Sequence, residues 1–312
     1  AYTEYKGKIQ NWGYIANLSL NRFYYSQRDN HSERYGFQPS LLVSYNPVDN
    51  LHFRYHINLK NNAPSIAYLN DVEQRIDILQ TRRGNPDLKS FRSTIQDFNA
   101  IFSTGIFSID ALVSYAYEKN PIMESVIYEE GMFIHTYENQ KSFQHLAAEV
   151  TFKIKPWKDH ISLSVTPGIN RYISTGNNYL HTYTLKELRI NLDASYKNWL
   201  LSFMTITPPN RYVYGEQLLK GDLMHTLMIG YKQPAWSIMA GIHNPFMKTY
   251  RSENANWSAL NPVKSDIHST NMSNTIVVKL NFNLNFGRQY KGANKGIQNI
   301  DTDSGILQGT KE

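Results

Sequence analysis

The chain contains no cysteine. Disulfides, thiolate metal sites and thiol nucleophiles are excluded together, so a fold in an oxidising compartment would have to hold without covalent staples. An uninterrupted run of about 18 apolar residues, the least that a membrane-spanning helix needs, is also missing. That absence leaves open a membrane protein made of strands, because such proteins hide their apolar residues in alternation and look polar on average. Concentrated charge is lacking as well. Lys and Arg outnumber Asp and Glu by 32 to 26, but they are scattered, apart from short groups such as Thr81-Arg82-Arg83-Gly84 and the tail. No nucleic-acid partner is expected from that distribution.

What the chain has in quantity is aromatic residues, with 22 Tyr, 14 Phe and 5 Trp. Tyr and Trp join an apolar ring to a polar tip and favour a membrane interface. The other abundant feature is period-two alternation. In the stretch from Thr275 to Phe286, Ile276, Val278, Leu280, Phe282, Leu284 and Phe286 share one face, and Lys279, Asn281, Asn283 and Asn285 share the other. Leu51, Phe53, Tyr55, Ile57 and Leu59 alternate in the same way with His52, Arg54, His56, Asn58 and Lys60.

Taken in order, such stretches form pairs. The expected pairs are Thr3 to Ile9 with Tyr14 to Tyr25, Phe37 to Tyr45 with Leu51 to Lys60, and Ser93 to Phe102 with Ile106 to Tyr117. Phe143 to Lys155 with Ile161 to Tyr172, Thr184 to Lys197 with Trp199 to Ile206, and Leu223 to Lys232 with Trp236 to His243 follow, before the final strand. Within each pair the turn is short. Between pairs lie polar segments, expected as loops: Ser26 to Gly36, Asn61 to Arg92, Glu118 to Ser142, Ile173 to Tyr183, Thr207 to Asp222 and Asn244 to Asn274. Glu124 to Tyr128 and Met132 to Tyr137, around Glu129-Glu130-Gly131, read as a hairpin inside the third loop.

The pattern predicts an all-β fold, an antiparallel up-and-down transmembrane β-barrel with about 13 to 15 strands present. Short turns on one side and long loops on the other are the asymmetry of outer-membrane barrels, with the short turns in the periplasm and the loops outside. Trp12, Trp157, Trp199, Trp236 and Phe286 then form a girdle at the periplasmic rim. The odd strand count leads us to expect the C-terminal part of a longer barrel, with 1–286 as barrel and 287–312 as a flexible periplasmic tail.

The polar face of the alternation supplies the expected lumen lining: His52, Arg54, His56, Lys60, Glu149, Lys153, Arg189, Asp193, Lys197 and Lys279. The loops supply the expected ligand contacts, Tyr68, Arg75, Arg82, Arg83, Tyr250, Arg251 and Trp257, because a rigid wall can hold variable loops in place. No metal centre is expected: His52 and His56 are four residues apart, which on a strand separates them by about 13 Å. His225 falls on the apolar face near the outer rim, where it suits lipid head groups. No nucleophile motif accompanies it, so no enzyme and no cofactor are expected.

Three stretches resemble the C-terminal barrel of TonB-dependent receptors, and specifically the Bacteroidota-type outer-membrane β-barrel proteins related to them. These are Gly84-Asn85-Pro86-Asp87-Leu88-Lys89, the terminal Leu280-Asn281-Phe282-Asn283-Leu284-Asn285-Phe286-Gly287, and the tail Ile300-Asp301-Thr302-Asp303-Ser304-Gly305. The first departs from the family pattern after Lys89, where Ser90-Phe91 replaces Pro-Glu. The resemblance implies a barrel of roughly 22 strands. It also implies a plug domain encoded upstream, TonB acting through that region, outer-membrane lipid around the wall, and uptake of a nutrient ligand. Two other readings of such a barrel stay open at this level: an adhesin or structural barrel without transport, and an outer-membrane hydrolase that uses His225.

Overall fold

Antiparallel pairing runs through the chain almost without interruption. The computed structural model describes residues 1–27, 30–157, 160–207 and 212–283. In chain order its first elements are β1 (Tyr2–Ile9), β2 (Trp12–Gln27), β3 (Asn30–Val48), β4 (Leu51–Asn62), the short helix α1 (Ile66–Leu69), β5 (Gln74–Arg75) and β6 (Gln80–Arg82). Next come β7 (Phe91–Ser103), β8 (Phe107–Lys119), β9 (Ile122–Glu129), β10 (Met132–Asn139), β11 (Ser142–Trp157), β12 (Ile161–Thr175), β13 (Leu180–Tyr196) and β14 (Trp199–Ile206). The last are β15 (Tyr212–Tyr214), β16 (Gln217–Gly221), β17 (Met224–Lys232), β18 (Trp236–His243), β19 (Tyr250–Asn256), β20 (Val263–Ser269) and β21 (Thr275–Phe282).

One 13-stranded sheet forms a wall in the order β1-β2-β3-β4-β7-β8-β11-β12-β13-β14-β17-β18-β21. Its strands alternate up and down, so the turns after β1, β3, β7, β11, β13 and β17 lie along one edge and the connections between the pairs, long or short, along the other. The strand number and the turn parity read from the sequence both hold. Because a one-residue slip would exchange the two faces, the registers identify the faces. His56 on β4 pairs with Asp97, Asp97 with Ser114, and Ser114 with Ala147. Ala147 in turn pairs with Asn170, and Asn170 with Leu185.

Side chains on this face bond across strands. Ser114 donates to Asp97 Oδ1 at 2.6 Å, His56 lies 3.5 Å from the same carboxylate, and Ser202 donates to Asp193 at 2.8 Å. Arg189 and Glu149 form an ion pair. The opposite face is aliphatic and aromatic, and much of it is bare: on β21, Ile276 is 76% and Phe282 64% exposed. Apolar rows left open on that scale suit contact with hydrocarbon, not water. Along the turn edge the same face carries a row of rings. Trp12 stacks on Tyr45 with centroids 4.3 Å apart, Trp157 lies 6.1 Å from Tyr196, and Tyr231 sits between Trp199 and Trp236.

Several expected boundaries move. Ser26 to Gly36 is not an open loop: β2 and β3 pair through it as far as Gln27 and Asn30, with Arg22 and Glu33 joined at 2.9 Å. Ladder bonding needs no apolar face, so a strand can run on past the point where alternation stops marking it. The connection expected from Ile173 to Tyr183 shrinks in the same way to residues 176–179, where the Gly176 amide bonds to the Tyr179 carbonyl. Lys197 does not line the polar face. It stands in the β13–β14 turn at φ 52°, with its ammonium 5.4 Å from the Tyr196 ring centroid. Phe286 and the tail from Gly287 to Glu312 lie outside the described residues.

Candidate functional site

The buried core of this protein lies at its loop end, not within the wall. The connections between wall strands fold into two further four-stranded sheets, β5-β6-β10-β9 and β15-β16-β19-β20. The first joins two successive connections through a parallel pairing of β6 with β10. The second joins two later connections through an antiparallel pairing of β16 with β19.

The second loop sheet reaches over the polar face of the wall. Val213 of β15, fully buried, joins Leu218 and Ala255 in one cluster with Met123 of the first loop sheet and with Phe143 and Tyr172 of the wall. Tyr214 packs edge-on against Phe143 at 4.8 Å and donates to Glu118 Oε2 at 2.9 Å. The Gly215 amide donates to Ser174 Oγ at 3.1 Å; at φ +64° this turn position favours glycine. Phe143 is in register with both Glu118 and Ser174, so these wall contacts all belong to the His56 face. The alternation on upper β13 records the same cover: Leu185 is buried, while Thr184 and Lys186 on either side are exposed.

Where the two loop sheets meet there is a narrow cleft lined by Arg82, Glu124, His135, Tyr137, Glu216 and Asn256, among others. Gln217 Nε2 donates across the junction to Glu124 at 3.0 Å. Gln80 Oε1 accepts from His135 Nε2 at 2.9 Å and from Asn261 Nδ2 at 3.1 Å, which binds three separate connections at one oxygen. Burial, with Arg82 beside it, holds His135 below the usual histidine range against the opposing pull of Glu124 and Asp77. Burial and the neighbouring Glu138 push Glu216 above the usual carboxylate range. Burial also raises the Tyr214 phenol, with Glu118 adding to it, so that hydroxyl remains a donor. The cleft thus offers a guanidinium, carboxylates, an imidazole and a phenol in one place.

The seven expected loop contacts do not converge. Arg82 lines the cleft, and Tyr68 stacks on its neighbour Tyr137 at 4.1 Å. Trp257 packs against the central cluster and 4.9 Å from His181. Arg83 instead pairs with Glu129 at 2.6 Å, Arg251 pairs with Asp266, Arg75 bonds to the Asp77 carbonyl, and Tyr250 is buried. Glu124, His135, Tyr137 and Glu216 were not among the expected contacts. Only the hairpin signal around Glu129-Glu130-Gly131 pointed to their neighbourhood.

Of the expected lining residues, His52, Arg54, His56, Lys60, Glu149, Lys153, Arg189, Asp193 and Lys279 all fall on the His56 face by register. His52 bonds to Asn46 at 2.9 Å and His56 faces Asp97, so the two share no partner. No metal-holding group of His, Asp and Glu exists among the described residues. His225 stacks against Phe203 with Phe246 edge-on; among the described residues its buried Nδ1 has no hydrogen-bond partner.

A family model described as the outer membrane protein beta-barrel family matches residues 1–205. No curated protein matches the chain. Among solved structures, the siderophore receptor PirA from Pseudomonas aeruginosa aligns with a TM-score of 0.60 at 16% identity, over 91% of this chain and 48% of that one. A variant of the ferric enterobactin receptor PfeA from Pseudomonas aeruginosa, in complex with enterobactin, aligns with a TM-score of 0.56 at 17% identity, over 80% and 40%. The chain therefore spans about half the length of these receptors or less, and the likeness establishes a shared fold.

Proposed function

The chain belongs to the outer membrane protein beta-barrel family, and from that premise we propose that it forms the C-terminal part of a receptor barrel for TonB-dependent uptake of a nutrient ligand. It is a multi-pass β-barrel protein of the cell outer membrane. The observation that carries the receptor reading is the loop assembly: two interlocked sheets on one edge, packed over the polar face of the wall.

In this reading the His56 face lines the lumen, the Trp12 face meets lipid, the loop edge is extracellular and the short turns are periplasmic. The side chains from His52 to Lys279 that share the polar face are then lumen contacts for a plug. The outer strands β1 and β21 each have one unpaired edge among the described residues. Further strands of a longer protein would pair with those edges, since a wall with open edges cannot close. Residues 1–286 are the barrel segment and 287–312 a periplasmic tail. Ligand is recognised at the outer end, where the cleft around Arg82, Glu124, His135 and Glu216 sets charge and hydrogen-bonding groups between the loop sheets.

Ferric siderophores are the first ligand class to test, because the structurally similar receptors are named for them. Uptake of a labelled panel is compared between the parent strain, a deletion strain, and a strain carrying Arg82→Ala with Glu216→Gln. Loss of uptake of one compound in the deletion strain, restored by the full gene and weakened by the double variant, is the expected result. Unchanged uptake across the panel under nutrient limitation, with surface attachment lost, would establish the adhesin reading instead.

A further inference from the structure

On the lipid-facing side of the wall strands β4, β7, β8, β11, β12 and β13, the charged side chains among the described residues are four, and all are cations. Arg92 on β7 and Lys119 on β8 are direct cross-strand partners. Arg171 on β12 lies diagonal to Lys186 on β13, because Arg171 pairs with Thr184 and Ile169 with Lys186. All four are exposed, and among the described residues no side-chain partner bonds to any of them. Like charges placed opposite one another weaken a sheet unless an anion lies between them. The outward charges on β2 and β3 differ, since Arg22 there has Glu33.

The height of the pairs identifies the anion's source. Below Lys186 the outward face of β13 is Leu188, Ile190, Leu192, Ala194 and then Tyr196, which neighbours Trp157 of the turn-edge aromatic row. Ten residues at about 3.4 Å each, tilted by about 45°, rise about 24 Å, which is the height of a barrel's apolar band. Lys186 and Arg171 thus stand where hydrocarbon ends on the loop side. Tyr115 and Tyr117 lie below Lys119 on its own face, as an aromatic belt does beneath head groups. The four cations point sideways into the head-group layer, away from the mouth and its cleft.

We propose that Arg92 with Lys119, and Arg171 with Lys186, bind phosphate groups of the phosphorylated glycolipid in the outer leaflet. A phosphate between each pair accepts from two cations at once, the charge-assisted arrangement that neither residue finds within the described protein. This inference rests on the orientation given above, with the loop edge outside.

The test titrates the full-length protein, in a neutral detergent, with lipid A carrying its phosphates and with lipid A from which they have been removed. Arg171→Gln with Lys186→Gln, and Arg92→Gln with Lys119→Gln, are compared with Arg54→Gln plus Lys153→Gln, which removes the same charge from the opposite face. Heat-modifiable migration confirms folding, and the single substitutions are read where a double variant does not fold. We expect each outward double variant to lose at least tenfold in affinity for phosphorylated lipid A, with the opposite-face variant unchanged. Equal binding of the dephosphorylated lipid, or an equal loss in the opposite-face variant, would overturn the site. A preference for phosphatidylglycerol micelles over lipid A would overturn it too, and would place these residues in the inner leaflet. Uptake measured in the same variants separates the two readings: loss of lipid binding with uptake retained leaves the receptor function standing.

Discussion

Tyr214 donates a 2.9 Å hydrogen bond to Glu118, and with it a loop strand is fastened to the top of a wall strand 96 residues earlier in the chain. Both residues are largely covered, so removing the hydroxyl leaves a carboxylate short of a partner away from water. Tyr214→Phe is expected to destabilise the loop assembly by roughly 1–3 kcal/mol without unfolding the wall. Hydrogen exchange should quicken in β15, β16 and β19 while the β11 to β13 amides keep their protection. Unchanged exchange in the loop strands would mean that the bond contributes nothing to their order.

The face assignment can be tested with two neighbouring residues. Leu192 and Asn191 are consecutive on β13 near the middle of the apolar band, and they point to opposite sides. Leu192→Lys should cost about 2–4 kcal/mol in denaturant unfolding from lipid, whereas Asn191→Lys should cost little. Similar losses from both would undo the assignment of the Trp12 face to lipid.

The wall was legible in the sequence because a bilayer imposes a period of two on every strand that crosses it. Leu51 to Lys60 and Thr275 to Phe282 could be read residue by residue for that reason. The loop strands face no such solvent. In β19, Tyr-Arg-Ser-Glu-Asn-Ala-Asn, the two buried residues, Tyr250 and Ala255, are five apart with polar residues between them, which gives no period of two to detect. Pairing across connections is less visible still: β6 joins β10 in parallel across more than fifty residues. The cleft depends on these pairings, so Glu124, His135 and Glu216 became a site only once two sheets had been brought together. Arg82 was found by residue type alone, and by the same criterion Arg83 was chosen, which turns to Glu129 instead.

Depth-dependent quenching should separate the tryptophans into two groups. Trp12, Trp157, Trp199 and Trp236 belong to the turn-edge row, and Trp257 to the loop core. In single-Trp variants, lipids brominated near the head group should quench the first four more strongly than lipids brominated at the chain end, and should leave Trp257 bright. A Trp257 signal quenched as strongly as that of Trp199 would put the loop assembly in the bilayer.

Acidification should loosen the junction of the loop sheets, and the sign follows from His135. Burial and then Arg82 depress its folded-state pKa below the ordinary value of 6.5. The opened state therefore takes up a proton first. Stability from the neutral imidazole is fully present above pH 6.5 and is lost as pH falls through the lower folded value. Glu216 has the opposite sign. Its raised pKa favours the folded form at low pH, and that contribution disappears as pH rises through its folded value. Between the two, His135 sets the response on the acidic side of neutrality, because protonation puts a charge on a partly buried ring beside Arg82, at the point where three connections meet on Gln80 Oε1. Exchange in β9 and β10 should thus quicken on lowering pH from 7.5 to 5.5. Arg82→Gln should raise the imidazole's titration midpoint, read by its ring proton resonances, and move the loosening to higher pH. A midpoint that does not move would remove Arg82 as a cause of the depression. A midpoint that moves while loop exchange stays constant would show that the Gln80–His135–Asn261 contact does not hold the sheets together.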